Sequence, residues 1–457
     1  MAGGYVGKIL NVNLTTGRFE EEKLDEKTCR EFIGGYGLGA RILYSRQAAG
    51  ADALGPDNIL GFVTGPLTGT PAPSGTRYTA VAKSPLTATW GDANSGGDFG
   101  PYLKFAGYDA VFFTGISDKP VYLLIDNGKP ALRDAAGVWG KDTYETESTL
   151  QAEYGKDSRV TCIGLSGEKK ALISCIITQR GAAAGRSGLG AVMGAKQLKA
   201  IVARGNGTVS IADPQAVDDL RKQYLTALND KTSRAYAFTE SFRKYGTAAH
   251  AALSAHSGDT PVKNWGGIGV TDFPDVSGIE ADAVVANLER RGGCWHCPIG
   301  CEGVLKAGAG EYKYAAGTRR PEYETLGSFG AMCLNNNTES IAMANYLCNG
   351  YGLDTISAGT VIAFAIECYE NGLITKKDTG GIELTWGNHR AIIAMTEKMA
   401  RREGFGDILA DGVKIAAGRI GRGAEKFAVH VGGEELGMHD PKLLPPMVGN
   451  LASAAAR

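Results

Sequence analysis

Ten residues, Gly292-Gly293-Cys294-Trp295-His296-Cys297-Pro298-Ile299-Gly300-Cys301, constrain this chain more than any other stretch. Three cysteines at C-x2-C-x3-C spacing lie among three glycines and one proline. Short spacers let the thiolates converge on one centre, and glycine lets the backbone curl without steric cost. Cys-Pro and Gly-Cys are poor helix formers, so the stretch reads as a loop built to hold something. An iron–sulfur cluster heads the candidates, because its polynuclear core needs several thiolates close together. Zinc held by Cys294, Cys297, Cys301 and His296 is a second reading, although adjacent His296 and Cys297 would strain a tetrahedral site. A disulfide with a spare thiol is a third, and spacing alone leaves all three open. Three cysteines are also one short of the usual four cluster ligands.

The remaining chemistry is ordinary in all but one respect. At 457 residues the chain predicts two or three domains, and 43% hydrophobic with 21% charged residues describes a globular protein. A formal net charge of −1 gives no footprint for a nucleic-acid partner. No apolar run reaches membrane-spanning length, and Met1-Ala2-Gly3-Gly4-Tyr5 lacks a charged n-region and h-region. No membrane partner and a cytoplasmic location are therefore expected. Cys29, Cys162, Cys175, Cys333, Cys348 and Cys368 are scattered among apolar neighbours, as reduced core thiols would be. Glycine is the unusual component: 65 residues, about twice the average frequency and without a collagen period. Such a bias suits a backbone that approaches a large ligand at many points.

Periodicity predicts an α+β protein whose β-rich domain, residues 1–207, precedes a mainly α-helical domain, residues 208–426, carrying the cysteine loop. Residues 427–457 read as the start of a truncated third domain. Hairpins are predicted at Lys8–Leu14 with Thr15-Thr16-Gly17 and at Val121–Ile125 with Asp126-Asn127-Gly128. Further strands are expected at 59–63, 78–82, 110–114, 159–164, 171–177 and 200–203, with one helix within 143–154. Helices are predicted over 216–228 with Asp213 as cap, and over 338–348, 360–370, 390–402 and 407–420. Two glycine-rich stretches, Asp92–Gly100 and Arg180–Gly190, read as loops between strands. With Arg77, Arg180 and Arg186 they could seat an anion such as phosphate, or be plain surface turns. Neither fits a dinucleotide fingerprint. Gly190–Lys196 lacks the Lys-Ser/Thr ending of a P-loop, which argues against ATP.

Further landmarks span the chain: Gly65-Pro66-Leu67-Thr68-Gly69-Thr70, Arg77-Tyr78, Ala93-Asn94-Ser95-Gly96-Gly97, and Leu103-Lys104-Phe105-Ala106-Gly107-Tyr108-Asp109. They continue with Ala183-Ala184-Gly185-Arg186, Cys297-Pro298-Ile299-Gly300-Cys301, Pro321-Glu322-Tyr323-Glu324, Gly352-Leu353-Asp354, and Arg402-Glu403-Gly404-Phe405-Gly406-Asp407. In this order they resemble the tungsten-dependent aldehyde ferredoxin oxidoreductase family. The resemblance implies two pyranopterin dithiolenes chelating one tungsten or molybdenum above a β-rich base, covered by helical domains. It further implies that Arg77, Asn94, Ser95, Gly96, Ala183, Gly185 and Arg186 face the pterin phosphates and a bridging Mg2+. Asp354 would hydrogen-bond a pterin ring, with Asn349 where the family usually has an acid. Cys294, Cys297 and Cys301 would hold a [4Fe–4S] cluster, and Glu324, then Glu322, would be the catalytic carboxylate.

The implied substrate is a small aldehyde or carboxylic acid, and the electron partner is ferredoxin or a ferredoxin-like subunit. In the family the fourth cluster cysteine, a second pterin-contacting Asp and an active-site His lie in the third domain, so the sequence is expected to be cut short. His439 is read as structural. Some members bridge two subunits with a metal held by Glu and His. The helix Ile341–Tyr346 has neither, so an oligomer, homo- or hetero-, is expected without that bridge. The alternatives are an aryl-CoA reductase subunit of the same family, a non-catalytic scaffold or electron-transfer subunit, and a zinc-loop module.

Overall fold

The computed structural model describes residues 3–443, which form two compact units. One comprises the chain up to Lys170, Ser174–Thr239 and Gly293–Gly300; the other comprises Ala171–Ile173, Glu240–Gly292 and the chain from Cys301 onward.

The first unit is built on two six-stranded sheets. In the first sheet lie β1 (Lys8–Asn13), β2 (Arg18–Lys23), β3 (Leu60–Thr64), β4 (Tyr78–Lys83), β5 (Trp90–Ser95) and β6 (Ala110–Thr114), in the order β2-β1-β6-β3-β4-β5. The second holds β7 (Val121–Asp126), β8 (Lys129–Asp134), β9 (Arg159–Cys162), β10 (Ile176–Thr178), β11 (Ala182–Ala184) and β12 (Leu198–Arg204), in the order β11-β10-β9-β12-β7-β8. Each sheet contains one parallel pair, β1 with β6 and β12 with β7, among antiparallel neighbours. Strand alternation sends Leu10, Phe62, Tyr78 and Phe113 of the first sheet into one core with Leu123, Ile125, Ile176 and Ile201 of the second. The opposite face of the first sheet, with Ile9, Val63, Val81 and Phe112, is covered by Leu38, Ile42 and Leu43 of a helix.

The hairpins at Thr15–Gly17 and Asp126–Gly128 form as predicted, with Lys8 opposite Lys23 and Val121 opposite Asp134. The helix Thr143–Tyr154 also forms, capped by Asp142 accepting from Glu145 N. Other expectations need correction. Helices at Glu26–Phe32, Gly35–Arg46, Phe99–Phe105 and Leu189–Ala195 were not visible as patterns. Gly35, Gly37 and Gly39 dilute the helical signal of the second, which forms because its Leu and Ile side chains are buried. The stretch 171–177 is a strand only from Ile176. Residues 171–173 belong to the second unit, where Ile173 bonds Ala410 O and its carbonyl accepts from Asp354 N. Neither glycine-rich stretch is simply a loop: Asp92–Ser95 completes edge strand β5, and Ala182–Ala184 is edge strand β11.

The second unit is mainly helical. Its central helix, Thr355–Glu370, is buried on almost every side, with Val361, Ile362, Phe364 and Ala365 all fully enclosed. A Cβ at Gly359 would lie 2.6 Å from the Ser328 carbonyl carbon, so glycine is what allows the helix Tyr323–Phe329 to cross so closely. That crossing fixes the helix carrying Glu324. Thr338–Tyr351 and His389–Arg401 form near the predicted limits, whereas the single helix expected over 407–420 is two, Phe405–Leu409 and Gly412–Ile420. Arg402 bridges Asp407 and Asp411 across the break. Among the described residues no helix is long and apolar enough to cross a membrane.

Candidate cofactor and proton-handling sites

In the first unit the neighbouring edges β5 and β11 gather seven of the predicted side chains and backbone positions. Pairing sets Tyr78 opposite Ser95 and Thr79 opposite Asn94, which carries Asn94 outward and Ser95 inward. Arg77 Nη1 donates to Asn94 Oδ1 at 2.6 Å, and Asn94 Nδ2 donates to Thr79 Oγ1 at 3.1 Å. Arg77 is exposed, so its remaining donors face solvent beside the edge. Ser95 Oγ donates across to Ala182 O at 3.1 Å, tying the strand that precedes Gly96 to the one that contains Ala183. Ser187 Oγ donates to Asp92 O at 3.1 Å, and Ser84 Oγ to Ser187 O at 2.9 Å, anchoring the Gly185-Arg186 turn to the same edge. The Arg77 guanidinium and a glycine-containing backbone at this edge make a site suited to phosphate groups.

The cysteine loop lies against this edge. Trp295 N donates to Gly97 O at 3.1 Å, and the Trp295 ring meets Phe105 edge-on at 5.8 Å. Ser74 Oγ is 3.5 Å from Cys297 Sγ. A Cβ at Gly96 would stand 2.8 Å from Cys294 Sγ, so the glycine of one predicted site is shaped by the thiol of the other. Neither the sequence spacing nor the motif order implied this contact. On its other side the loop floors an open cavity of about 290 Å³ lined by Pro73, Arg221, Leu225, His296, Cys297 and Pro298.

The thiols divide into two classes. Cys294, Cys297 and Cys301 are partly exposed, whereas the other six are buried. Burial pushes the Cys29, Cys162, Cys333 and Cys348 thiols up, and that of Cys368 up to about 12. Among the nine, the loop cysteines alone have the access that metal binding requires. Among the described residues no three His, Cys, Asp or Glu side chains are already gathered as a ligand set.

In the second unit the helix Tyr323–Phe329 starts at Glu322 and places Glu324 in its first turn. Glu324 is not the solvated turn acid its sequence setting allows: its Oε2 accepts from Met438 N at 2.9 Å. Glu322 accepts from Thr247 Oγ1, and desolvation pushes its carboxyl above the ordinary range despite the hydroxyl and Arg320. Between the two acids Tyr323 donates to Met438 O at 2.5 Å. Its ring stacks on His439 with centroids 5.0 Å apart, and His439 Nδ1 is 2.8 Å from Asp259 Oδ2. Asp354 caps the central helix, accepting from Ile356 N at 3.0 Å and from Ser357 Oγ at 2.9 Å. The Ser357 hydroxyl also lies 2.7 Å from Glu435 Oε2. Asn349 is buried on the preceding helix. Sequence reasoning missed Asp259, Thr247 and Met438; 180 residues separate Asp259 from His439, and nothing local links them.

Two family models match the chain: the N-terminal domain of aldehyde ferredoxin oxidoreductase over residues 9–205, and its domains 2 and 3 over residues 223–456. The tungsten-containing aldehyde ferredoxin oxidoreductase of Pyrococcus abyssi is 40% identical over 444 residues, covering 96% of this chain and 71% of that protein. The Pyrococcus furiosus protein of the same name is 39% identical with the same coverage. The WOR-like subunit of an aliphatic sulfonate oxidoreductase from Pyrococcus furiosus is 33% identical over 465 residues, 95% of this chain and 71% of that subunit. Among solved structures, the active site complex BamBC of benzoyl coenzyme A reductase with 1,5-dienoyl-CoA aligns with a TM-score of 0.82 at 28% identity. That alignment covers 96% of this chain and 67% of the other. The chain belongs to the aldehyde ferredoxin oxidoreductase family, and with it to the oxidoreductases.

Proposed function

We propose that this chain interconverts an aldehyde and its carboxylic acid on a tungsten, or molybdenum, bis-pyranopterin, exchanging electrons through a [4Fe–4S] cluster with ferredoxin or a ferredoxin-like subunit. The contact of Gly96 with Cys294 carries the reading, because it joins the phosphate-suited edge to the first loop cysteine within one unit. The residue types present suit both groups. Arg77, Asn94, Ser95, Gly96, Ala183, Gly185 and Arg186 would hold the pterin phosphates and their Mg2+, and Asn349 and Asp354 a pterin ring. The three accessible cysteines, Cys294, Cys297 and Cys301, would hold the cluster. Tungsten in the names of the relatives supports that metal. A cytoplasmic setting is part of the proposal.

Bound there, the metal would polarise the carbonyl and take up two electrons. Oxidation of RCHO with water to RCOOH also releases two protons, and these fall to the protein. Glu324, oriented by the Met438 N–H, serves as the base. Glu322 differs in setting: burial favours its protonated form. His439, stacked on the intervening tyrosine, is the third proton-handling group.

Likeness to the benzoyl coenzyme A reductase complex supports a second reading, reduction of an aryl-CoA ring. Anaerobically purified protein is expected to contain tungsten with several irons and to reduce a viologen dye when given an aldehyde. Oxidation of reduced viologen by benzoyl-CoA, with no aldehyde activity, would establish the second reading instead. Iron without tungsten would indicate an electron-transfer or scaffold subunit, and zinc alone would refute both enzyme readings.

A further inference from the structure

Asp259 holds the two residues His439 and Asp440 by two routes at once. Its Oδ2 lies 2.8 Å from His439 Nδ1, and its backbone carbonyl accepts from Asp440 N at 2.5 Å. A carboxylate only accepts, so the 2.8 Å contact requires the proton on Nδ1. Neutral His439 then presents Nε2 as a lone pair rather than as a donor. The ring is held on a second side by Tyr323, at an interplanar angle of 22°. Tyr323 is itself fixed by Met438 O and by the Thr260 hydroxyl at 3.1 Å, and Thr260 is the residue after Asp259. Asp259, with its side chain 16% exposed against 41% for His439, is the less exposed partner of the pair.

We propose that Asp259 is a positioning residue: it fixes the tautomer and plane of His439 so that Nε2 takes a proton from the reaction handled by Glu324. The proposal rests on the functional reading above, and its first test does not. A carboxylate that orients an imidazole contributes through geometry; where the imidazole ligates a metal its loss costs about 10- to 100-fold, and a loss of the same order is expected here. Asp259→Asn retains size and shape but can donate to Nδ1, which releases the demand for a proton there.

The experiment uses the full chain with its histidines labelled with nitrogen-15. Six histidines give a countable spectrum, and His439→Gln identifies the His439 signals by their loss. Above the histidine titration range, wild-type His439 is expected as the Nδ1–H tautomer, and Asp259→Asn as predominantly Nε2–H. In the metal-loaded enzyme Asp259→Asn should lower kcat about 10- to 100-fold with KM changed less than about twofold. Asp259→Glu should restore part of the loss, with thermal unfolding and metal content unchanged in both. An Nε2–H tautomer in the wild type, or no change of tautomer in Asp259→Asn, overturns the proposal whether or not the enzyme acts on aldehydes. A correct tautomer in a protein without aldehyde activity refutes the functional reading alone.

Discussion

Gly96→Ala asks directly whether the thiol of Cys294 is committed to a metal. The new Cβ would stand 2.8 Å from Cys294 Sγ, against about 3.5–4.0 Å for unstrained heavy atoms, so something must yield by roughly 1 Å. Gly96 does not occupy the left-handed region, so the added methyl brings no backbone strain of its own. A free thiol can rotate away, and the cost should then be below about 1 kcal/mol. A thiolate bound to iron cannot, and the overlap should cost about 1–3 kcal/mol as other overpacked sites do. At about 2–4 °C per kcal/mol for a body of this size, the melting temperature should fall by roughly 2–12 °C. The assay pairs calorimetry with iron analysis of anaerobically prepared protein, and iron per chain should fall with Tm. Gly137→Ala is the control, since nothing lies within 4 Å of its added Cβ, and it should stay within about 0.5 kcal/mol of wild type. Gly96→Ala with wild-type Tm and wild-type iron would refute the idea that Cys294 is a fixed ligand beside the strand edge.

Glu324→Gln preserves the acceptor for Met438 N and should keep its metal while losing at least about 100-fold in aldehyde-dependent dye reduction; activity within threefold of wild type would remove Glu324 from the mechanism. Cys297→Ser should lose iron, whereas Cys348→Ala, at a buried thiol, should keep it, as colorimetric iron assays will show. Lys104 is buried, donates to Gly4 O and Gly65 O, and has its ammonium pushed down by burial to about 8. Between that value and 10.5 this lysine binds more protons in the unfolded chain than in the folded one, so its contribution to stability should rise with pH there by about 3 kcal/mol. Burial also pushes the Lys196 ammonium down to about 8, so in urea unfolding Lys104→Met should reduce this slope by about half, and equal slopes in both proteins would count against the burial argument.

What could be read in advance was local. Thr15-Thr16-Gly17 and Asp126-Asn127-Gly128 state their hairpins within three residues, and Asp213 and Asn337 state their helix starts within four. The parallel pairing of β1 with β6, about 100 residues apart, has no local signature and emerges only when two apolar strands share a core. In β5 the alternation was present, with Gly91, Ala93 and Ser95 buried and Asp92 and Asn94 turned outward, but small residues disguised it as a loop. The candidate site divides in the same way. Glu322, Glu324 and the loop cysteines were legible as motifs, while Asp259 acquires meaning only through a chain return of 180 residues. His439 reads as structural in the sequence, and its stacking on Tyr323, the residue between the two acids, has no local sequence signature.

The sealing of six thiols against three accessible ones has a practical consequence. A colorimetric reagent that counts sulfhydryls in the native state reaches only the loop, so its stoichiometry becomes a gauge of cluster loading. Three equivalents per chain would mark an empty loop, none a filled one, and unfolding would return all nine as an internal standard.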